Sequence, residues 1–428
     1  MRRLILIGLI ALIVLPAGAS RHVTVAQLEQ ILTNAAAHHS DDDVVRLFGD
    51  LELTERYTNV ERGRLVAKLH LGPRTTIALQ LLADESAFLE LPRAELLTTP
   101  APNAATEQHI LNAARSYVIQ ILPRMPNLLA TRSTFHFDNS AQIVKVNEWP
   151  VRAGLHLVGS SSREFTLRDD VLIQNAEMKS ASGSGSQAYS HPETGLRSAG
   201  EFGPFLVMIL HDTYKGKIAF HHWEQSLSGP LAVYRYSVPR DASNYTVDYC
   251  CLADQLGVRL QQGGRRGGGV PPPSDMQDDP AKHFHKMPPY HGSLFIDPVS
   301  GAILRITMQA ELDIDGPVTR ADVLVEYGPV MIGERKFICP LLSLALTQGP
   351  AGSNATLGLP PDRQISEATF TQYHRLGSSV RVIANEAEAD APNRPPSGAS
   401  SLSSPSPGTM AGLGDGAVPA IVPRLDGD

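Results

Sequence analysis

The spacing of apolar positions changes character about a third of the way along the chain, and the change predicts two kinds of structure. From about residue 23 to residue 96 apolar residues recur three and four apart: Leu28, Ile31, Leu32 and Ala35; Val44, Val45, Leu47 and Phe48; Leu65, Val66 and Leu69. That is the period of amphipathic helices. Start signals agree with it. Thr24 with Gln27, and Thr58 with Glu61, have the spacing of a capping box, while Ser40 precedes Asp41, Asp42 and Asp43, placing negative charge at a helix N-terminus. Gly72-Pro73 breaks the run once, and a last helix is expected from about Thr75 to Leu89. Residues 97–129 read as a Pro100–Pro102 linker and a longer helix, with Ile110, Leu111, Ala114, Val118, Ile121 and Leu122 on one stripe ending near Pro123 and Pro126.

Beyond Leu129 the period falls to two. Strands are expected at Thr131–Phe137, Leu155–Val158, Arg163–Ile173, Lys217–Leu227, Leu231–Val238, Tyr245–Cys251, His291–Ile296, Ala302–Leu312, Arg320–Tyr327, Lys336–Thr347 and Ser366–His374. Turn residues such as Ser228-Gly229-Pro230 and Asp297–Gly301 separate several of them. In the second turn Asp297 can bond its own backbone and Gly301 can take a positive φ. Short connections require antiparallel neighbours. The fold class expected is therefore α+β: a small N-terminal helical bundle followed by a large curled antiparallel β-sheet, half-barrel-like, of about ten strands with covering helices. One helical insertion, from about Gly200 to Tyr214, presents Phe202, Phe205, Leu206, Ile209 and Leu210. Residues 180–198 and 263–289 read as long polar loops. The antiparallel domain runs to residue 384, and residues 385–428, rich in Ala, Pro, Ser and Gly, are expected to be a disordered tail.

Composition adds a compartment. Arg2 and Arg3 precede an apolar run from Leu4 to Leu15, then Pro16 and Ala17-Gly18-Ala19, the form of a secretory signal over residues 1–19. No cysteine follows that processing site before Cys250. A soluble periplasmic or secreted protein is expected, which removes most ATP-driven and NAD chemistry and permits disulfides. The 428 residues carry a formal charge of −7, so a nucleic-acid partner is not expected. Of the three cysteines, Cys250, Cys251 and Cys339, only one of the adjacent pair can easily reach Cys339 from a strand. One long-range bridge and one spare thiol are expected, with the choice of partner open.

Histidine is the residue type whose clustering invites chemistry. His283 and His285 share a face of an extended segment, and His291 follows six residues on; imidazoles so placed can bind zinc or copper. Strict alternation puts His222 with Ile218 and Phe220, and His221 with Ala219 and Trp223, with Asp212 and Glu224 near enough to orient one ring. No Walker, dinucleotide, H-E-x-x-H or nucleophile-elbow motif is present, so no catalytic residue and no cofactor are assigned.

Five stretches carry a resemblance: LELTERYTNVERGRL, SAGEFGPFLVMIL, HHWEQSLSGPLAVYRYSVP, YHGSLFIDPVSGAILRITMQAEL and ADVLVEYGPVMIGERKFICP. They look like a group of uncharacterised secreted proteins of acidobacterial type, over most of residues 23–384, a family that supplies no catalytic residues. The order of strands, the embedded helix and the D-P-x-S-G hairpin are more loosely similar to periplasmic lipoprotein-carrier and envelope-sensor proteins of the LolA/RseB type. That similarity implies an open half-barrel whose apolar face holds acyl chains. The expected function is a non-enzymatic envelope protein binding a lipid or a lipoprotein acyl chain near Phe202, Phe205, Leu206, Ile209, Leu210 and Trp223. Two alternatives stand beside it: a scaffold docking an envelope protein through residues 23–96, and a metal-dependent hydrolase using His221, His222, His283, His285 or His291. Oligomeric state is not legible.

Overall fold

The computed structural model describes residues 21–36, 39–48, 51–139, 141–142, 151–152, 154–168, 171–174, 195–196, 200–250, 284–349 and 362–376. The signal segment, the tail, Cys251 and His283 lie outside them.

The N-terminal helices start where their caps are. β1 (Arg21–Val23) leads into α1 (Val25–Ala36), α2 (Asp41–Phe48), β2 (Leu51–Leu53), α3 (Asn59–Leu69) and α4 (Pro73–Ser86). Gln27 N–H donates to Thr24 Oγ1 at 3.2 Å while Thr24 N–H donates to Gln27 Oε1 at 2.9 Å, completing the reciprocal box. Glu61 N–H donates to the Thr58 hydroxyl. Asp41 does more than charge its own helix: its carboxylate accepts the Arg74 and Thr75 amides, capping α4 and joining α2 to it. Leu28, Leu32, Phe48, Leu65, Leu79 and Leu82 close one core. The parallel pairing of β1 with β2 was not expected, because three residues are too few to show a period.

After α5 (Ala104–Ser116), which winds on through a wider π turn, Tyr117–Ile121, and a 3-10 turn, Leu122–Arg124, the chain turns to strands. They are β3 (Leu128–Asp138), β4 (Ala141–Gln142), β5 (Val151–Arg152), β6 (His156–Arg168), β7 (Val171–Gln174) and β8 (Gly195–Leu196). α6 (Pro204–Asp212) interrupts them. β9 (Lys217–Ser226), β10 (Gly229–Val238), β11 (Val247–Cys250), β12 (Phe284–Lys286), β13 (Tyr290–Ile296), β14 (Ile303–Ala310), β15 (Arg320–Ile332), β16 (Arg335–Gln348) and β17 (Arg363–Arg375) follow. Ten of these form one antiparallel sheet in the order β7-β6-β3-β17-β16-β15-β14-β13-β10-β9. Among the described residues β7 and β9 are its unpaired edges, and the sheet is not closed, consistent with a half-barrel-like curl.

Three details depart from the expected pattern. Leu155–Val158 and the start of Arg163–Ile173 are one long strand, β6, because Ser160, Ser161 and Ser162 pair with β3 without a break. The segment expected to be loop at 195–196 and 284–286 instead supplies β8 and β12, which flank β11 in a separate three-stranded sheet. That sheet also takes the expected Tyr245–Cys251 strand away from the large one. The hairpin at Asp297–Gly301 forms as expected: Val299 N–H donates to Asp297 Oδ1 at 3.0 Å, and Gly301 has φ 74°.

Both faces of the sheet centre are apolar, and both are covered. Tyr234, Tyr236, Leu294, Ile306, Met308 and Val325 pack with Ile110, Leu111 and Ala114 of α5 and with Leu206, Ile209 and Leu210 of α6. On the other face Val233, Phe295, Leu324, Leu344 and Ile365 are buried, and Ala87 and Phe88, just after α4, lie against them. Burying a large aliphatic side chain contributes about 1.5–3 kcal/mol, so both layers contribute to the stability of the sheet. Ion pairs tie the N-terminal layer down: Arg56 with Glu224, and Arg363 with Glu85 at 2.8 Å.

Candidate functional site

The residues expected to meet a hydrophobic ligand separate into two groups. Leu206, Ile209 and Leu210 are buried in the core beneath α6, with Phe205 and Trp223 packed at its margin. Phe202 belongs elsewhere. Its ring lies 4.8 Å from Phe165 and 5.5 Å from Phe370, near Tyr373, in an aromatic cluster at the opposite end of the sheet. The change of side follows from the turn before α6, where Gly203 has φ 129° and reverses the chain between Phe202 and Phe205. Trp223 packs against Phe220 with ring centroids 5.4 Å apart and the rings tilted, and its indole N–H donates to Pro100 O at 2.9 Å, which satisfies the one polar atom of a half-buried ring.

α6 itself is apolar on every side from Phe205 to Leu210. Its inner side is core, yet Val207 on the outside is 54% exposed. The N-cap is Gly203, which has no side chain to bond the first amides. The C-terminal end is held far better. Asp212 accepts from Asn244 N–H, Asn244 Nδ2 and Tyr290 OH, and lies 3.1 Å from His211 Nδ1. Burial alone would raise its pKa, but these bonds to the charged form outweigh burial and hold it below the usual value.

The concave polar site lies on the opposite face, where the segment after α4 crosses β9, β10, β13 and β14. A cavity of about 300 Å³ opens there, lined among others by Arg56, Glu90, His221, His222, Arg235 and His291. A β-bulge builds it. Val233 pairs with His222 but Tyr234 pairs with Phe220, so His221 is an extra residue. The expectation that His221 and His222 point to opposite faces is therefore corrected: the bulge turns both rings away from Ile218, Phe220 and Trp223 and toward Glu90. Their Nδ1 atoms come within 2.5 Å. Glu90 Oε2 is 3.9 Å from His221 Nδ1, while Arg235 holds Glu90 Oε1.

Glu224 stands behind this group. His222 Nε2 is 3.5 Å from its Oε2, and Arg56 pairs with the same carboxylate. Burial would raise the Glu224 pKa; the His222 and Arg56 partners outweigh it and lower it. Burial, then the neighbouring His222, lowers the His221 pKa. Of the two carboxylates expected near these histidines, Glu224 takes the orienting place and Asp212 does not, being engaged at the end of α6. Glu90 carried no signal in the sequence, since it reaches the histidines only through tertiary packing.

The other expected donors are dispersed. His291 lines the same cavity but pairs with Glu311 at 3.3 Å, and His285 is exposed on β12 opposite Asp248. Among the described residues Cys339 is a free thiol, fully buried on β16, and burial pushes its pKa up to about 12; Cys251 and the side chain of Cys250, the expected partners, lie outside what is described. A thiol in an apolar layer has no thiolate with which to attack a disulfide.

No family model matches this chain, and no curated protein does. Among solved structures, a LolA superfamily protein from Nitrosomonas europaea is similar at 10% identity, over 62% of this chain and 91% of that one, with a TM-score of 0.18. Function must therefore be argued from the residues.

Proposed function

We propose that the chain is an exported, non-enzymatic binding protein that holds an acyl chain or another hydrophobic ligand between the inner face of its open sheet and α6. The observation that carries this reading is α6: a nine-residue helix, apolar on every side from Phe205 to Leu210, lying at the surface with Val207 54% exposed. A helix apolar on every side is ordinarily buried. Here Val207 is left exposed while Phe205 and Met208 are partly buried against the core, and the N-terminus turns on a glycine with φ 129° and no side-chain cap. Lifting that end would open the apolar layer made by Leu206, Ile209 and Leu210 while the Asp212 anchor kept the helix attached. Each methylene of a ligand entering the space contributes on the order of 0.8 kcal/mol, so an acyl chain can replace the contacts α6 gives up without any polar chemistry.

Native mass spectrometry of the full chain purified from an envelope fraction tests this. The expected spectrum shows the protein with the added mass of one lipid, removed by organic extraction and restored by oleate at one equivalent. A bare protein mass that oleate does not change would remove the proposal.

A further inference from the structure

We infer that Glu90, His221 and His222 form a binding site for one divalent transition-metal ion, such as zinc. Three observations place it. One ligand atom from each of the three residues lies within 4.8 Å of the other two. The bulge opposite Val233 brings two consecutive histidines to one face, which a regular strand cannot do. And two of the three donors are already oriented by a neighbour, as metal ligands generally are: Arg235 takes Oε1 of Glu90 and leaves Oε2 facing His221, while Glu224, fixed by Arg56, stands 3.5 Å from Nε2 of His222 and leaves Nδ1 turned inward.

The donor set decides the class of ion. Two imidazoles and one carboxylate suit zinc and its first-row neighbours, whereas calcium and magnesium call for oxygen ligands throughout. On a tetrahedral zinc with bonds of about 2.0 Å, two nitrogens stand about 3.3 Å apart, so the Nδ1 atoms, now at 2.5 Å, need only move apart by a small ring rotation. Three protein ligands leave a fourth position for water or another small ligand, and the cavity is also lined by Ser293, Thr307 and Gln309. Glu90 is 56% exposed and His221 34%, so an ion has a direct path in.

The test is zinc titration of the chelator-treated full chain by isothermal calorimetry, with bound metal counted by elemental analysis. One equivalent is expected. His221→Ala and Glu90→Gln should each weaken binding by at least about tenfold, while His285→Ala and His291→Ala leave it unchanged. Metal-free melting curves show that each variant is folded, and because His221 and Glu90 are partly exposed, those variants should melt near the wild type. The inference is overturned if zinc does not bind saturably, if His221→Ala with Glu90→Gln retains the equivalent, or if His285→Ala removes it. Oleate uptake is independent of every one of these outcomes.

Discussion

Arg56→Ala should destabilise the protein by about 3–5 kcal/mol, the cost of removing one partner from a buried ion pair. Arg56 is 5% exposed and Glu224 15%. The pair joins the N-terminal layer to the edge of the sheet, and it is embedded: the guanidinium groups of Arg56, at 5.5 Å, and Arg305, at 5.2 Å, both lie against the Phe295 ring. Arg305 in turn donates to Ala87 O at 2.8 Å. Without Arg56, Glu224 would keep a charge in a desolvated position with His222 and Arg305 left to offset it. Urea unfolding of Arg56→Ala, Glu224→Gln and the double variant measures this. The double variant should lose clearly less than the sum of the singles, because the orphaned charge is gone. A loss below about 1 kcal/mol for Arg56→Ala, the range of exposed pairs, would mean that the pair does not join the layers.

Asp212→Ala should cost about 1–3 kcal/mol, since it leaves the buried Tyr290 OH without its acceptor and also removes the acceptor of the part-buried Asn244 amide. Asp212→Asn tests the charge separately. The folded-state pKa of Asp212 lies below its ordinary value, so its contribution is present above the unfolded pKa of about 3.9 and is lost as pH falls through the folded value. Between about pH 5 and pH 2 the urea midpoint of the wild type should therefore fall more steeply than that of Asp212→Asn. Parallel curves would show that the carboxylate is not held ionised at the end of α6.

How much of this was legible depends on the range over which each signal acts. Local signals were readable: Thr24 with Gln27 closes its capping box, and Asp297 with Gly301 makes its turn, because every partner is within a few residues. The open antiparallel sheet followed from alternation and short connections. The bulge was also present in the sequence as a slip in period, since Ile218 and Phe220 are two apart but Phe220 and Trp223 are three apart. Reading strict alternation through that slip sent the two histidines to opposite faces. Glu90 and Arg56 could not have been found in this way. They meet the histidines because residues 53–91 lie across the back of the sheet, and which face a helical layer covers is not written in the period of either layer.

The claim on which the account rests is that α6 is a movable cover over an apolar site. Hydrogen–deuterium exchange of the full chain, with and without saturating oleate, tests it most directly. Altered protection is expected in residues 204–212 and in the adjoining turn at 117–124, with the central strands at 303–310 and 320–332 unchanged. Identical exchange in α6 at saturating oleate would contradict it.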